Sequence, residues 1–183
     1  MIDRSSSDRD LIDAMRVQGD DAESAFRVLY DRHAGRIYLY ACKILRSESL
    51  GADVVHDTLL KLLLAIRDGT EFENVPAFLL RTARNLCLNM RKRNQVVFVE
   101  PSDVDPADHV NTDAEQRDLH EHVLRAIDLL PVLHREALIL QLYAGLSYAE
   151  ICEVTGESLP VIRHRISRAK QRLRNSLLPL ITE

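Results

Sequence analysis

The sequence predicts an all-α protein made of two helical domains joined by a flexible acidic linker. Three observations carry this expectation. Apolar residues recur at helical spacing along most of the 183 residues, with only six Gly and six Pro to interrupt them. No convincing alternating strand pattern occurs; residues 96–99 are the one short β-like run. Charge is segregated: residues 94–118 hold seven acidic side chains and one basic, whereas 1–93 hold 15 basic and 14 acidic, and 119–183 hold 8 and 7. The expected domains are therefore 1–93 and 119–183, with 94–118 as the linker. An apolar content of 46% is enough to give each domain its own core.

In the first domain, Ser7 with Asp10 forms a capping pair before a short helix over 8–18, with Leu11, Ile12 and Met15 inward and Gly19 at its end. A long helix runs from Asp20 or Asp21 to about Arg46. Phe26, Leu29, Tyr30, His33, Ile37, Tyr40, Ala41, Ile44 and Leu45 recur on it at helical spacing. The aromatic positions read as core, and His33 as a hydrogen-bonded bundle residue rather than a metal ligand. Ser49 reads as the cap of a third helix that ends at Gly69, with Val55, Leu59, Leu62, Leu63 and Ile66 inward. Asp53, His56, Asp57 and Leu60 share another face, where the two carboxylates, one turn apart, project together. A solvated face and an acidic docking surface for a basic partner both fit them; a general acid/base pair would lack any catalytic neighbour. Asn74 and Pro76 open a fourth helix. Phe78, Leu79, Ala83, Leu86, Cys87 and Met90 face the bundle, leaving Arg81, Arg84, Asn85, Arg91, Lys92 and Arg93 as exposed candidates. The final R-K-R run suits a helix C-terminus electrostatically, and it also suits phosphate.

The linker contains Pro101 and Pro106. Asp103, Asp105 and Asp108 resemble the start of a calcium loop, but the loop glycine is missing and position twelve is Ala114. His109, His120 and His122 are weak as metal ligands, since i and i+2 diverge on a helix. Cys42, Cys87 and Cys152 are scattered in apolar patterns with no C-x-x-C pair, as expected of reduced thiols in a cytosolic protein. No apolar run approaches the ~20 residues of a membrane span, so no membrane insertion is expected. The polar N-terminus lacks the apolar stretch of a signal peptide. There is no nucleophile motif, phosphate loop or metal cluster, so the reading is a non-enzyme without a cofactor.

The second domain begins near Leu119. Val123, Ile127 and Leu130 make one helix face. Pro131 opens the next helix, with Leu133, Ala137, Leu138 and Leu140 inward and Gly145 closing it. Ser147 and Glu150 form an S-x-x-E capping box, and Gly156 supplies a left-handed stop. Ser158 caps a last helix that tolerates Pro160 in its first turn. On the wheel of that helix, Ile162, Ile166, Ala169, Leu173 and Leu177 form one stripe. Arg163, Lys170 and Arg174 border it on one side; Arg165, Arg168 and Arg172 lie on the other. His164, Ser167 and Gln171 make a polar front, with Val161 at its start. No acidic residue occurs from Ser158 to Thr182. Basic shoulders for phosphates and a polar front for base edges, behind a helix-turn-helix spacing, suit the DNA major groove. An amphipathic surface helix with solvated arginines is the plainer alternative.

Taken together, F-R-V-L-Y-D-R-H-A-G-R-I-Y-L-Y-A-C-K-I-L, A-D-V-V-H-D-T-L-L-K-L, P-A-F-L-L-R-T-A-R-N-L-C-L-N-M-R-K-R, the stretch from Leu129 to Ser158 and R-I-S-R-A-K-Q-R-L-R resemble, in that order, the extracytoplasmic-function (ECF) sigma factors of bacterial RNA polymerase. The resemblance covers nearly the whole chain. It implies a sigma-two-like four-helix domain and a sigma-four-like helix-turn-helix domain. It implies that Asp53, His56, Asp57 and Leu60 dock core RNA polymerase. It further implies that Arg81, Arg84, Asn85, Arg91, Lys92 and Arg93 meet the minus-ten promoter DNA. Val161, Arg163, His164, Arg165, Ser167, Arg168, Gln171 and Arg172 would meet the minus-thirty-five element. An anti-sigma factor, often membrane-anchored, is the implied regulator, and the cytoplasm, with possible retention at the inner membrane face, the implied location.

The chain departs from the family at several positions. His56 stands where Gln is usual, Leu59 and Leu63 where Phe and Trp are frequent, and Phe78 where Trp is common. The recognition helix opens with Pro160, Val161, Ile162, Arg163 and His164 in place of Gly-Thr-Val-Lys-Ser, so promoter preference does not carry over from relatives. A free-standing helix-turn-helix regulator that binds duplex DNA without polymerase is the competing expectation. The weak net charge of each domain disfavours it, because phosphate neutralisation supplies most unaided affinity.

Overall fold

The computed structural model describes residues 3–17, 19–94 and 122–181. Every regular element among them is helical: α1 (Asp8–Arg16), α2 (Asp20–Leu45), α3 (Glu48–Arg67), α4 (Val75–Asn94), α5 (122–128), α6 (Val132–Leu142), α7 (Tyr148–Thr155) and α8 (Leu159–Ile181). The chain divides into two units, Met1–Val99 and Glu100–Glu183. All of the expected linker but Asn94, with residues 96–99, His109 and His120, lies outside the described residues.

In the first unit α2 is the central element, packed by α1, α3 and α4. Its buried stripe is Ala25, Leu29, His33, Ile37, Tyr40, Ala41 and Ile44. Leu62 of α3 and Leu79 of α4 are also fully buried, and burying each such side chain stabilises the fold by ~1.5–3 kcal/mol. Where α2 meets α3, Gly51 lies so close to Cys42 that an added Cβ would overlap its Sγ and stand 3.3 Å from its backbone nitrogen. That glycine lets the two helices approach.

Local chemistry sets most ends. Ser7 and Asp10 make the reciprocal capping box. The α3 cap is Ser47, whose hydroxyl accepts from the Leu50 N–H; Ser49, the expected cap, is already inside the helix. Either serine precedes the apolar run, and only the extended backbone at Ser47 makes it the cap. Likewise α1 stops at Arg16 through an extended Val17, while Gly19 stands at the start of α2. The Asn74 side chain accepts from the Ala77 N–H, as its position before α4 suggested.

A polar clasp ties α1 to α2. Arg32 donates to the Arg4 and Ser6 carbonyls and to Asp8, whose other oxygen lies 2.8 Å from Nε2 of buried His33. Burial works against the Asp8 charge. The hydrogen bonds and charges of His33 and then Arg32 outweigh it and hold the carboxyl below its usual range.

The second unit packs α6 and α7 against α8. Ile139, Leu140, Ile151, Ile162 and Ile166 form its fully buried centre, with Leu130, Leu138 and Ala169 clustered beside Leu173. Arg135, buried, donates to the Asp128 carbonyl and lies 3.7 Å from that carboxylate, joining α5 to α6. Leu133, expected inward, is 47% exposed; the buried stretch of α6 begins two residues later, at Arg135. The capping box at Ser147 and Glu150 forms, and Gly156 adopts φ 75° to turn α7 into α8.

Candidate functional site

Three surfaces collect the candidate residues, two on the first unit and one on the second. On the first unit, α2 and α3 enclose an open groove of about 800 Å³. Phe26, Tyr30 and Tyr38 line one wall; His56, Leu60 and Leu63 line the other. Asp53 is exposed and Asp57 half-buried on the same helix. The arrangement is an apolar trough whose one lining carboxylate is Asp31 of α2, with Asp53 and Asp57 outside the lining on α3. Exposed apolar groups cluster here: Tyr30 is 45% exposed, Leu60 46% and Leu63 39%. Tyr30 and Leu63 were expected in the core. They instead form a second apolar face, which the four helices of this unit leave open.

The second cluster of the first unit lies on α4 and the loop before it. Gly69 takes φ 78°, and the Thr70 N–H bonds back to the Ala65 carbonyl. Arg16 from α1 reaches across to donate to the Thr70 carbonyl at 2.7 Å and to pair with Glu71 at 3.2 Å. Phe72 packs edge-on against Phe78 with ring centres 4.9 Å apart. The loop is thus fixed against the start of α4. Arg81, Asn85, Lys92 and Arg93 are exposed further along α4, whereas Arg84 and Arg91 are half-buried.

On the second unit the front of α8 is as the wheel implies. Arg163, His164, Ser167, Arg168, Gln171 and Arg172 are exposed, and Ile162, Ile166 and Ala169 are buried behind them. Among the described residues, Arg163, Arg168 and Arg172 carry no ion pair. Arg165 differs. Its side chain is only 12% exposed and is held 2.7 Å from Glu157 in the turn before the helix. Val161 is half-buried.

One residue of this face was not apparent in the sequence. His134, in the first turn of α6, stands edge-on to His164 with ring centres 6.3 Å apart. The two histidines line one cleft with Arg168, Gln171, Arg172 and Asn175. Thirty positions separate His134 from His164, and only the packing of α6 on α8 brings them together. Burial, then the positive charge of Arg172, His164, Arg165 and Arg168, keeps His134 below the ordinary imidazole range.

Comparison with known proteins follows the same division. Residues 29–96 match Sigma-70 region 2, and residues 120–173 match Sigma-70, region 4. An ECF RNA polymerase sigma factor, SigE of Mycolicibacterium smegmatis, is 32% identical over 81% of this chain. The chain spans 60% of the length of that relative. The RNA polymerase sigma factor CarQ of Myxococcus xanthus is 29% identical over 86% of this chain and 92% of its own. The chain belongs to the ECF sigma factors. Among solved structures, the sigma factor RpoE in complex with the anti-sigma factor NepR, from Bartonella quintana, aligns with a TM-score of 0.67. That alignment is 28% identical and covers 83% of this sigma factor and 96% of RpoE. The apolar groove falls largely within the region 2 match, apart from Phe26. Both histidines fall within region 4. No described helix is long and apolar enough to cross a membrane.

Proposed function

We propose that this ECF sigma factor binds core RNA polymerase and directs it to a restricted set of promoters, as a non-enzymatic initiation subunit working without a cofactor. The observation that carries the reading is that the two faces are chemically different and lie on separate units. The α2–α3 groove, with Asp53, His56, Asp57 and Leu60, offers apolar area beside carboxylates. That composition suits a protein partner with a basic rim. The α8 face offers arginines and polar side chains with no acid, which suits duplex DNA.

In this reading residues 1–93 dock polymerase and engage the minus-ten element, 94–118 form the acidic connection, and 119–183 read the minus-thirty-five element. Arg81, Arg84, Asn85, Arg91, Lys92 and Arg93 take the minus-ten strand, where extruding a base costs a few kcal/mol that phosphate contacts recover. Arg163, His164, Ser167, Arg168, Gln171 and Arg172 face the minus-thirty-five groove. Val161 flanks them, and Arg165 acts from behind through Glu157. The likeness to RpoE, solved with an anti-sigma factor, supports control by a partner of that kind. Such control would act in the cytoplasm, or at the inner membrane face where the partner is anchored.

Run-off transcription with purified core tests the reading. Initiation from a few promoters only when this chain is added is the expected outcome. Tight, polymerase-independent binding to a palindromic duplex in a gel shift, with no initiation, would replace it with a free-standing regulator.

A further inference from the structure

We propose that the cleft between the start of α6 and the front of α8 seats one DNA-backbone phosphate, gripped by His134 and His164 beside Arg168 and Arg172, and that promoter binding therefore takes up protons. The proposal rests on the reading of α8 as a promoter-contacting helix. Its own support is the makeup of the cleft. Two imidazoles, two guanidiniums and the amides of Gln171 and Asn175 line it, and no carboxylate does. A lining that is all nitrogen donors or amides, with two fixed positive charges, suits an oxyanion and repels a cation. The residues come from two helices, so the seat exists only in the folded unit. His164, Arg168, Gln171, Arg172 and Asn175 recur along one side of α8, and His134 closes the end of the row from α6.

The cleft concentrates positive charge. Nδ1 of His134 is buried with no hydrogen-bond partner among the described residues. The guanidiniums of α8 that bear on the ring, Arg172, Arg165 and Arg168, are all positive, and His164 adds to them when it carries a second proton. Glu157, in the turn between α7 and α8, is taken up by Arg165. On α6 itself the neighbouring Arg135 is directed to Asp128 of α5. Glu136 is buried on the same helix and is not among the charges that bear on the ring. A phosphate placed among these cations reverses the field at both imidazoles. The proton-binding strength of the rings in the complex then exceeds that in the free protein. Affinity must rise as pH falls, by linkage.

A backbone phosphodiester is favoured over a carboxylate of an acidic protein segment because the cleft is continuous with the exposed arginines of α8. The test uses the complete chain bound to core polymerase and a promoter duplex recovered by start-site mapping. Binding is followed by anisotropy from about pH 7.5 to about pH 5.5, in a range where imidazole titrates. Wild type should gain about threefold to tenfold in affinity toward the acid end, and His134→Gln or His164→Gln should lose most of that gain. Because His134→Gln could loosen the unit, a second arm keeps the wild-type protein. Neutral methylphosphonates replace the phosphates near the minus-thirty-five element one at a time, and one replacement should abolish the pH dependence. A pH-independent affinity, or a dependence that survives every methylphosphonate, overturns the proposal. Saturation of the pH effect by millimolar inorganic phosphate, with DNA affinity unchanged, would assign the seat to a free anion and overturn it too. Absence of any promoter binding at any pH would instead remove the reading of α8 as a promoter-contacting helix on which it rests.

Discussion

Along α3, apolar side chains and carboxylates share the surface: Leu60 and Leu63 stand open to solvent near Asp53 and Asp57. Along α8, between Ile162 and Arg172, the apolar side chains are turned inward and the surface carries arginines, a histidine and short polar groups. Both helices are amphipathic and of similar length, yet they differ in what they leave uncovered. A protein interface draws its stability from apolar area in its centre and its orientation from charges at its rim. A DNA interface draws on phosphate neutralisation, which is lost with salt. The same helical period thus builds two kinds of surface, depending on whether the exposed side is apolar and acidic or polar and basic.

The largest expected effect comes from inverting the first surface. Asp53→Lys with Asp57→Lys presents two positive charges to a basic partner, and like-charge juxtaposition costs several kcal/mol. Core polymerase affinity should fall about 100-fold or more in a fluorescence titration, while the thermal midpoint stays near wild type. Unchanged core affinity would strip the α3 face of its docking role.

The second surface should respond differently. Arg163→Ala or Arg168→Ala should weaken promoter binding by the polymerase complex by ~1–3 kcal/mol if the side chain is bidentate to guanine. If it contacts phosphate instead, the loss should be uniform across promoter variants, with the salt slope reduced by about 1. Core affinity should not move in either case. A loss of core affinity in the Arg163 or Arg168 variants would erase the distinction between the faces.

How far these faces were legible in the sequence depends on the range of the interaction. Short-range chemistry was readable. The capping boxes at Ser7 and Ser147 and the turn at Gly156 are decided within four residues, and they formed as the sequence suggested. Ser47 and Ser49 compete within the same few residues, and there the choice went to the position with extended backbone. Medium-range pattern was half readable. Periodicity placed Tyr30 and Leu63 on an apolar face, but it does not say which element covers that face. Long-range contacts were not readable. Nothing in the spacing of His134 from His164 announces a shared cleft, and a wheel drawn from Ser158 onward omits Glu157, the group that claims Arg165.

A smaller effect tests whether the α3 face depends on its seat against α2. Gly51→Ala places a methyl group against Cys42, and such overpacking costs ~1–3 kcal/mol. The first unit should lose that much in urea unfolding, and Cys42→Ala in the same chain should return part of it. Equal losses with and without Cys42→Ala would show that the thiol is not the obstruction. Core affinity of the folded variant should then report how much the groove tolerates a shift of α3.

The smallest effect belongs to Arg165, and it separates an arginine on the DNA helix from an arginine that works for DNA. The guanidinium is largely covered and directed to Glu157, whereas Arg163 and Arg168 face solvent. Ion pairs of this partly exposed kind contribute up to about 1 kcal/mol. Arg165→Ala should therefore lower the stability of the second unit by about that amount, and Glu157→Gln should do much the same. The double variant should cost little more than either alone, because the two changes remove one interaction. Preference among promoter variants should be unchanged. If Arg165→Ala instead alters that preference while Glu157→Gln does not, the pair opens on binding and Arg165 joins the reading face. The contrast would then lie between two states of α8 as well as between two helices.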